Sequence, residues 1–363
     1  MDFNETPFIV IWETTQACDL VCLHCRACAQ PHRSPLELTT EEGRGLIDQV
    51  AEMSAPLFVL TGGDPLKRPD IYDLVGYGTH RGVRMSMTPS ATPLLTHAAI
   101  ARLQRCGLAR LAVSLDGSTA EIHDAFRGVP GSYALTLDAV RRAGELGLPV
   151  QINTTITRRN LTDFEKMVSL LKTFKMTLWS VFFLVPTGRG QLQDLITAEE
   201  FEAIFAKLAE VSENVSFDIK TTEAQHYRRF LLQKRAALRR SNAGDIPIPF
   251  GMPSGDGIGR APRGLNDGKG FVFISHTGEI FPSGFLPLGA GNIRRQPLAD
   301  VYRNSPLFRK LRDTSNLKGK CGVCEFKEIC GGSRSRAYAL TGDPLAADPS
   351  CVYQPRSLQK ICA

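Results

Sequence analysis

The 363-residue chain is 43% hydrophobic with a formal net charge of +6 at pH 7, enough apolar material for a substantial core and too little charge for a disordered polyelectrolyte. It has no run of about 18 apolar residues and no basic segment leading into an apolar one, which points away from a membrane and toward a cytoplasmic protein. Arginine pairs such as Arg141-Arg142 and Arg239-Arg240 are scattered rather than run together, so no nucleic-acid partner is expected.

In chain order, the first half alternates short β-branched runs with amphipathic stretches, the pattern of repeated βα units on a parallel sheet. Six strands are predicted at 8–13, 57–61, 83–88, 110–115, 149–155 and 178–184, with a seventh candidate at 215–219. Helices are predicted at 39–53, where Thr39 and Glu42 have capping-box spacing, and at 69–77, opening on Pro69. The strands end in polar or glycine-rich tips, among them Thr61-Gly62-Gly63-Asp64, Thr88-Pro89-Ser90, Ser114-Leu115-Asp116-Gly117 and Asn153-Thr154-Thr155. In a (β/α) barrel such tips share one mouth. The predicted fold class is therefore α/β, a partial (β/α)6 TIM-like barrel over 1–240, with an open doubly wound sheet as the alternative. The polar run 220–229 is placed either to project into the mouth or to start a surface helix. Residues 241–270 include a Gly/Pro-rich stretch and read as a linker or long loop. Residues 271–363 read as a small cysteine-rich auxiliary domain, opening with a hairpin of 271–275 and 279–282.

Seven of the ten cysteines fall in two clusters, with Cys351 downstream of the second, and such clusters in a cytosolic chain bind metal more often than they form disulfides. The first, Cys18-x3-Cys22-x2-Cys25, follows the first strand. Three thiolates can hold three irons of a cubane and leave the fourth with an open position. This triplet resembles that of the radical S-adenosylmethionine (SAM) superfamily, whose unique iron binds SAM and whose one-electron reduction yields a 5′-deoxyadenosyl radical. The resemblance implies further SAM contacts. Gly62-Gly63-Asp64 resembles the family's GGE motif, with Asp in place of Glu, at the SAM amino group. Ser114, Asp116, Arg127 and Asn153 resemble its ribose and carboxylate contacts, Arg127 being apt to fork onto the methionyl carboxylate. Val185 and His24 stand where the family packs adenine. Cys28 is expected as a neighbour packed near the site rather than a fourth ligand, because ferredoxin runs are spaced C-x2-C-x2-C-x3-C.

The second set is Cys321-x2-Cys324-x5-Cys330-x20-Cys351. On spacing alone it is a tetrahedral zinc site or a fully ligated iron–sulfur cluster. With Arg334 to Ala339 and Cys351-x-Tyr353-x-Pro355, it resembles the SPASM auxiliary domain, most of all that of radical SAM enzymes of alternative haem and haem d1 biosynthesis. Ser283 and Ser333 or Arg334 stand where a full SPASM domain carries ligands of another cluster, and no cysteine lies between Cys106 and Cys321. The resemblance therefore implies one auxiliary [4Fe-4S] cluster on Cys321, Cys324, Cys330 and Cys351, suited to electron transfer or structure rather than to direct substrate binding. The cofactors expected are the SAM-binding [4Fe-4S] cluster, that auxiliary cluster and SAM. The expected activity is reductive SAM cleavage for hydrogen abstraction, directed to oxidation or decarboxylation of a tetrapyrrole carboxylate. Maturation of a ribosomally made peptide is the alternative, and a non-catalytic electron carrier is the alternative from another class. Expected partners are a small-molecule or peptide substrate and an electron donor such as flavodoxin or ferredoxin.

Overall fold

The computed structural model describes residues 1–240, 261 and 264–359. Seven strands, β1 (Ile9–Glu13), β2 (Leu57–Thr61), β3 (Met85–Met87), β4 (Arg110–Ser114), β5 (Val150–Ile156), β6 (Leu178–Phe183) and β7 (Asp218–Thr222), pair in parallel in sequential order. The helices between and after them are α1 (Thr40–Glu52), α2 (Ile71–His80), α3 (His97–Arg105), α4 (Ala120–Arg127), α5 (Ser132–Glu145), α6 (Phe164–Leu171), α7 (Ala198–Glu213) and α8 (His226–Arg240). A strand order that never reverses places each right-handed crossover helix on the same face. The doubly wound alternative fails on this point, because it needs a reversal of strand order.

All six predicted strands are present, and the seventh lies three residues further on because α7 continues to Glu213 and its C-cap Asn214. The hairpin is also present, as β8 (Phe271–Ile274) and β9 (Glu279–Phe281), but it extends the barrel sheet. β8 pairs in parallel with β1, and β9 and then β10 (Gly291–Asn292) continue antiparallel from it. The sheet order β10-β9-β8-β1-β2-β3-β4-β5-β6-β7 leaves β7 and β10 as separate edges, so the barrel is open. The linker reading of 241–270 lies largely outside the described residues.

Thr39 caps α1 as expected: its Oγ1 accepts from Glu42 N (3.2 Å) and its N–H donates to Glu42 Oε2 (2.8 Å). Pro69 does not open α2, which begins at Ile71; the proline of the segment that starts a helical turn is Pro65, in the 3-10 turn Pro65–Lys67. Alternate strand residues, Val10 and Trp12, Phe58 and Leu60, Met85 and Met87, Leu111 and Val113, form the core shared with the helices. On the other face Phe3, Phe8, Ile9 and Leu57 cluster with Ile11, Val59 and Phe271 and fill the interior at the N-terminal strand ends. Along β4 and β5 the interior is polar up to the mouth: Arg110 donates to Gln151 Oε1 (3.2 Å) and Gln151 Nε2 to Asn153 Oδ1 (2.7 Å). Among the described residues no helix is long and apolar enough to cross a membrane.

Candidate active site

The first cysteine cluster lies on the loop between β1 and α1, and neighbouring strand tips hold that loop against the barrel mouth. Gly63 N–H donates to Thr15 O (2.8 Å) and Asp64 N–H to Ala17 O (2.6 Å), so the β2 tip runs alongside the loop backbone. Only glycine permits this approach. A Cβ on Gly62 would lie 2.6 Å from Thr15 O, and one on Gly63 2.6 Å from Gln16 O with Ala17 O nearer still. The end of α4 supplies the next clamp, since Val21 and Leu23 donate to the carbonyls of Arg127 (3.2 Å) and Phe126 (3.0 Å). The third comes after β6, where Arg189 N–H donates to Cys25 O (3.0 Å). Gly63→Ala is therefore expected to fold and yet to lose at least half of the iron bound at the first site, measured as iron per chain after anaerobic reconstitution, because backbone rather than a movable side chain opposes the new methyl.

Held in this way, Cys18, Cys22 and Cys25 line one cavity of about 210 Å³ at the C-terminal strand ends. Gly62, Gly63, Ser114, Asn153, His24, Arg127 and Val185 line it as well. The register places Ser114 directly opposite Asn153 across β4 and β5. Two of the residues singled out from the sequence stand behind the wall instead. Asp64 is fully buried and accepts from Thr92 Oγ1 (2.9 Å), Leu66 N (3.1 Å) and Ser90 N (3.3 Å), so it shapes the loop that presents Ser90. Burial pushes its carboxyl up to about 6. Asp116 is fully buried, accepts from Thr155 N (2.7 Å) and forms an ion pair with Arg127. Arg127 is thus largely held within the protein: its other contact is a weak donation to Cys22 Sγ at 3.6 Å, and its Nε is buried without a partner among the described residues. Cys28 is exposed, has φ 48° and does not line the cavity, so its expected packing near the site is corrected.

Ser90, Phe182 and Phe285 also line the cavity and were not singled out. The tip Thr88-Pro89-Ser90 was a signal for the first, whereas Phe285 reaches the mouth only because the hairpin joins the sheet beside β1. The 220–229 run turns away from this mouth. His226 and Arg229 instead line the second cysteine site.

The donor set fits an iron–sulfur cluster. Cys18 Sγ contacts Ser90 Oγ (3.2 Å), and backbone N–H groups of Leu20 and Ala29 donate to Cys18 Sγ (3.4 Å) and Cys25 Sγ (3.5 Å), the kind of contact that stabilises metal-bound thiolate. Burial raises the Cys18 thiol, so a thiolate there needs a cation beside it. Among the described residues no three His, Cys, Asp or Glu side chains converge as around a single metal ion. Thiols that each meet a different iron of a cube need not converge on one point.

At the second site Cys321, Cys324, Cys330 and Cys351 line a narrow cleft of about 20 Å³ together with Arg229, Lys320 and Lys327. Burial pushes the Cys330 thiol up to about 12, and the surrounding cations suit an anionic cluster. Arginines tie its loops together: Arg334 donates to Ala346 O (2.7 Å) and Pro344 O (3.0 Å), and Arg228 to Leu265 O (2.9 Å) and Ile329 O (3.2 Å). Ser333, which stands where another ligand was expected to be missing, donates to Glu223 Oε2 (2.5 Å). Its neighbourhood is a buried oxygen and guanidinium network rather than a thiol site.

The comparisons with known proteins agree with this layout. The Radical SAM superfamily model matches residues 12–171. The chain is 40% identical over 352 residues to the AdoMet-dependent heme synthase of Methanosarcina barkeri (strain Fusaro / DSM 804), covering 97% of this chain and 98% of that one. The chain belongs to the radical SAM superfamily. This radical SAM protein is also 38% identical to the AdoMet-dependent heme synthase of Nitratidesulfovibrio vulgaris, over 98% of its length and 95% of the relative's. Streptococcus suis SuiB bound to S-adenosylmethionine shares the fold, with a TM-score of 0.73 at 15% identity over 96% of this chain and 78% of that one.

Proposed function

We propose that this radical SAM enzyme carries out oxidative decarboxylation of an iron tetrapyrrole carboxylate. The observation that carries the reading is the 40% identity to a chain named AdoMet-dependent heme synthase, which extends through both cysteine sites. When bound, the first cluster and SAM supply a 5′-deoxyadenosyl radical for hydrogen abstraction. Cys18, Cys22 and Cys25 would hold that cluster, and Gly62, Gly63, Ser114, Asn153, His24 and Val185 would seat SAM from the walls they line. Phe182 and Phe285, with ring centroids 6.3 Å apart at the same mouth, offer apolar faces to a flat macrocycle.

Conversion of a propionate side chain to a vinyl group with release of CO2 gives up one hydrogen atom and one electron. The hydrogen goes to the nucleoside, and the electron needs an acceptor. Four thiols at the second site leave no corner of a cube open, so Cys321, Cys324, Cys330 and Cys351 are suited to hold an electron acceptor rather than a substrate. The external reductant is read as flavodoxin or ferredoxin.

The test is anaerobic incubation of the reconstituted protein with SAM, dithionite and either iron-coproporphyrin or candidate precursor peptides. Formation of 5′-deoxyadenosine in step with CO2 from the porphyrin is expected. Turnover coupled to a peptide alone would overturn the tetrapyrrole reading, and no SAM cleavage by fully loaded protein would leave an electron carrier.

A further inference from the structure

The cavity at the strand ends is lined by two arginines, Arg26 and Arg127, and among the described residues by no carboxylate. Arg127 is held between the buried Asp116 and Cys22 Sγ. Arg26 is held differently. Its guanidinium lies over the Phe273 ring, 4.5 Å from the centroid, and donates through Nη2 to Glu13 Oε2 (2.7 Å). Gly284 stands beside it, where a Cβ would come within 3.2 Å of Arg26 Nε and 3.0 Å of the Phe273 ring. Glu13 is fixed in turn, because β1 pairs in parallel with β8 as far as Trp12 and Ile274, and His276 Nδ1 comes to 3.0 Å from Glu13 Oε1. Burial works against the Glu13 charge, but Arg26 and His276 outweigh it and hold the carboxyl below its ordinary value. A guanidinium tied at one nitrogen and stacked on a ring has little rotamer freedom left to lose when it binds a ligand.

Of the Arg26 nitrogens only Nη2 has a hydrogen-bond partner among the described residues, and the side chain keeps 20% of its surface exposed. Its Nε and Nη1 remain accessible, in contrast with the buried Nε of Arg127. Gly284 leads directly into Phe285, whose ring lines the same cavity with that of Phe182. A cation with donors to spare and two aromatic faces therefore occur together, which suits a ligand with a flat apolar body and anionic arms. We infer that Arg26 receives a side-chain carboxylate of the substrate, with Glu13 positioning it. The inference rests on the tetrapyrrole reading above, whose substrate carries such carboxylates.

The test uses anaerobically reconstituted wild-type, Arg26→Lys and Arg26→Gln proteins. Because Arg26→Gln alone strands the buried Glu13, the double variant Glu13→Gln/Arg26→Gln is measured beside it. Absorbance titration compares iron-coproporphyrin with its uncharged tetramethyl ester in the same non-ionic detergent, and equilibrium dialysis measures SAM. Arg26→Gln and the double variant are expected to weaken iron-coproporphyrin by about tenfold or more while hardly changing the ester or SAM, with Arg26→Lys between them and wild type. Glu13→Gln should lower the preference for acid over ester by a smaller factor, and an unchanged preference would remove it from the positioning role. Equal weakening of the ester, a loss confined to SAM, or unchanged affinity for iron-coproporphyrin in the double variant overturns the inference and leaves the tetrapyrrole reading standing. Should wild-type protein fail to bind iron-coproporphyrin, the tetrapyrrole reading falls and the inference falls with it.

Discussion

Cys22→Ala is expected to lower SAM cleavage by about three orders of magnitude or more, roughly 4 kcal/mol on the barrier, whereas Cys28→Ala should stay within about twofold. The contrast follows from where the two thiols stand. Cys22 is buried in the cavity wall between Cys18 and Cys25, and the neighbouring Val21 and Leu23 are pinned to the end of α4. Cys28 is exposed on a left-handed turn outside the cavity. With one of three ligands gone, the loop retains no other thiol aimed at the same wall. Anaerobic assay of 5′-deoxyadenosine, with iron per chain measured in parallel, checks both halves. Equal loss in the two variants would mean that Cys28 closes the fourth corner and that the open coordination position does not exist.

The second large effect concerns Asp348, which lies at the centre of the buried network around the other cysteine site. Its carboxylate accepts from Ser333 N (2.8 Å), Ser350 N (3.0 Å) and Arg336 Nε (3.2 Å), and it thereby joins the segment after Cys330 to the residue before Cys351. Burial works against its charge, but Arg336 and the Ser333 N–H outweigh it and hold the carboxyl down at about 2. A carboxyl lowered on folding contributes stability that is present above its ordinary value near 4 and lost as the pH falls toward 2. At 1.36 kcal/mol per pH unit that contribution is about 2 kcal/mol. Asp348→Asn should cost more, about 3 to 5 kcal/mol, because it also leaves the fully buried Arg336 without its counter-charge. Urea unfolding from pH 2 to pH 6 should show the slope in wild type and its loss in the variant. Iron content should fall from about eight per chain toward about four. Retention of both wild-type stability and iron would show that the network is dispensable to the second site.

The local chemistry was legible from the order of residues alone. Strand alternation and the Thr39 and Glu42 cap depend on interactions within a few positions of each other, and both appear where they were expected, while the two cysteine sets read from their spacing line two separate cavities. The glycine pair at 62 and 63 was legible too, although the reason for it, the Thr15 to Ala17 backbone lying against it, is a contact across more than 40 residues. Only the tertiary structure decided what depends on distant charge and packing. Arg127 has the chemistry to fork onto a ligand carboxylate, but Asp116 lies buried beside it and takes that role. His226 and Arg229 follow β7 and face the second cysteine site because α8 packs there, and Phe285 enters the first because β8 pairs with β1. Residue type and spacing specify which side chains can ligate, cap or pair. Which pairs form depends on burial, which removes competing water and makes the nearest opposite charge the strongest partner, and only the folded chain determines which charge is nearest.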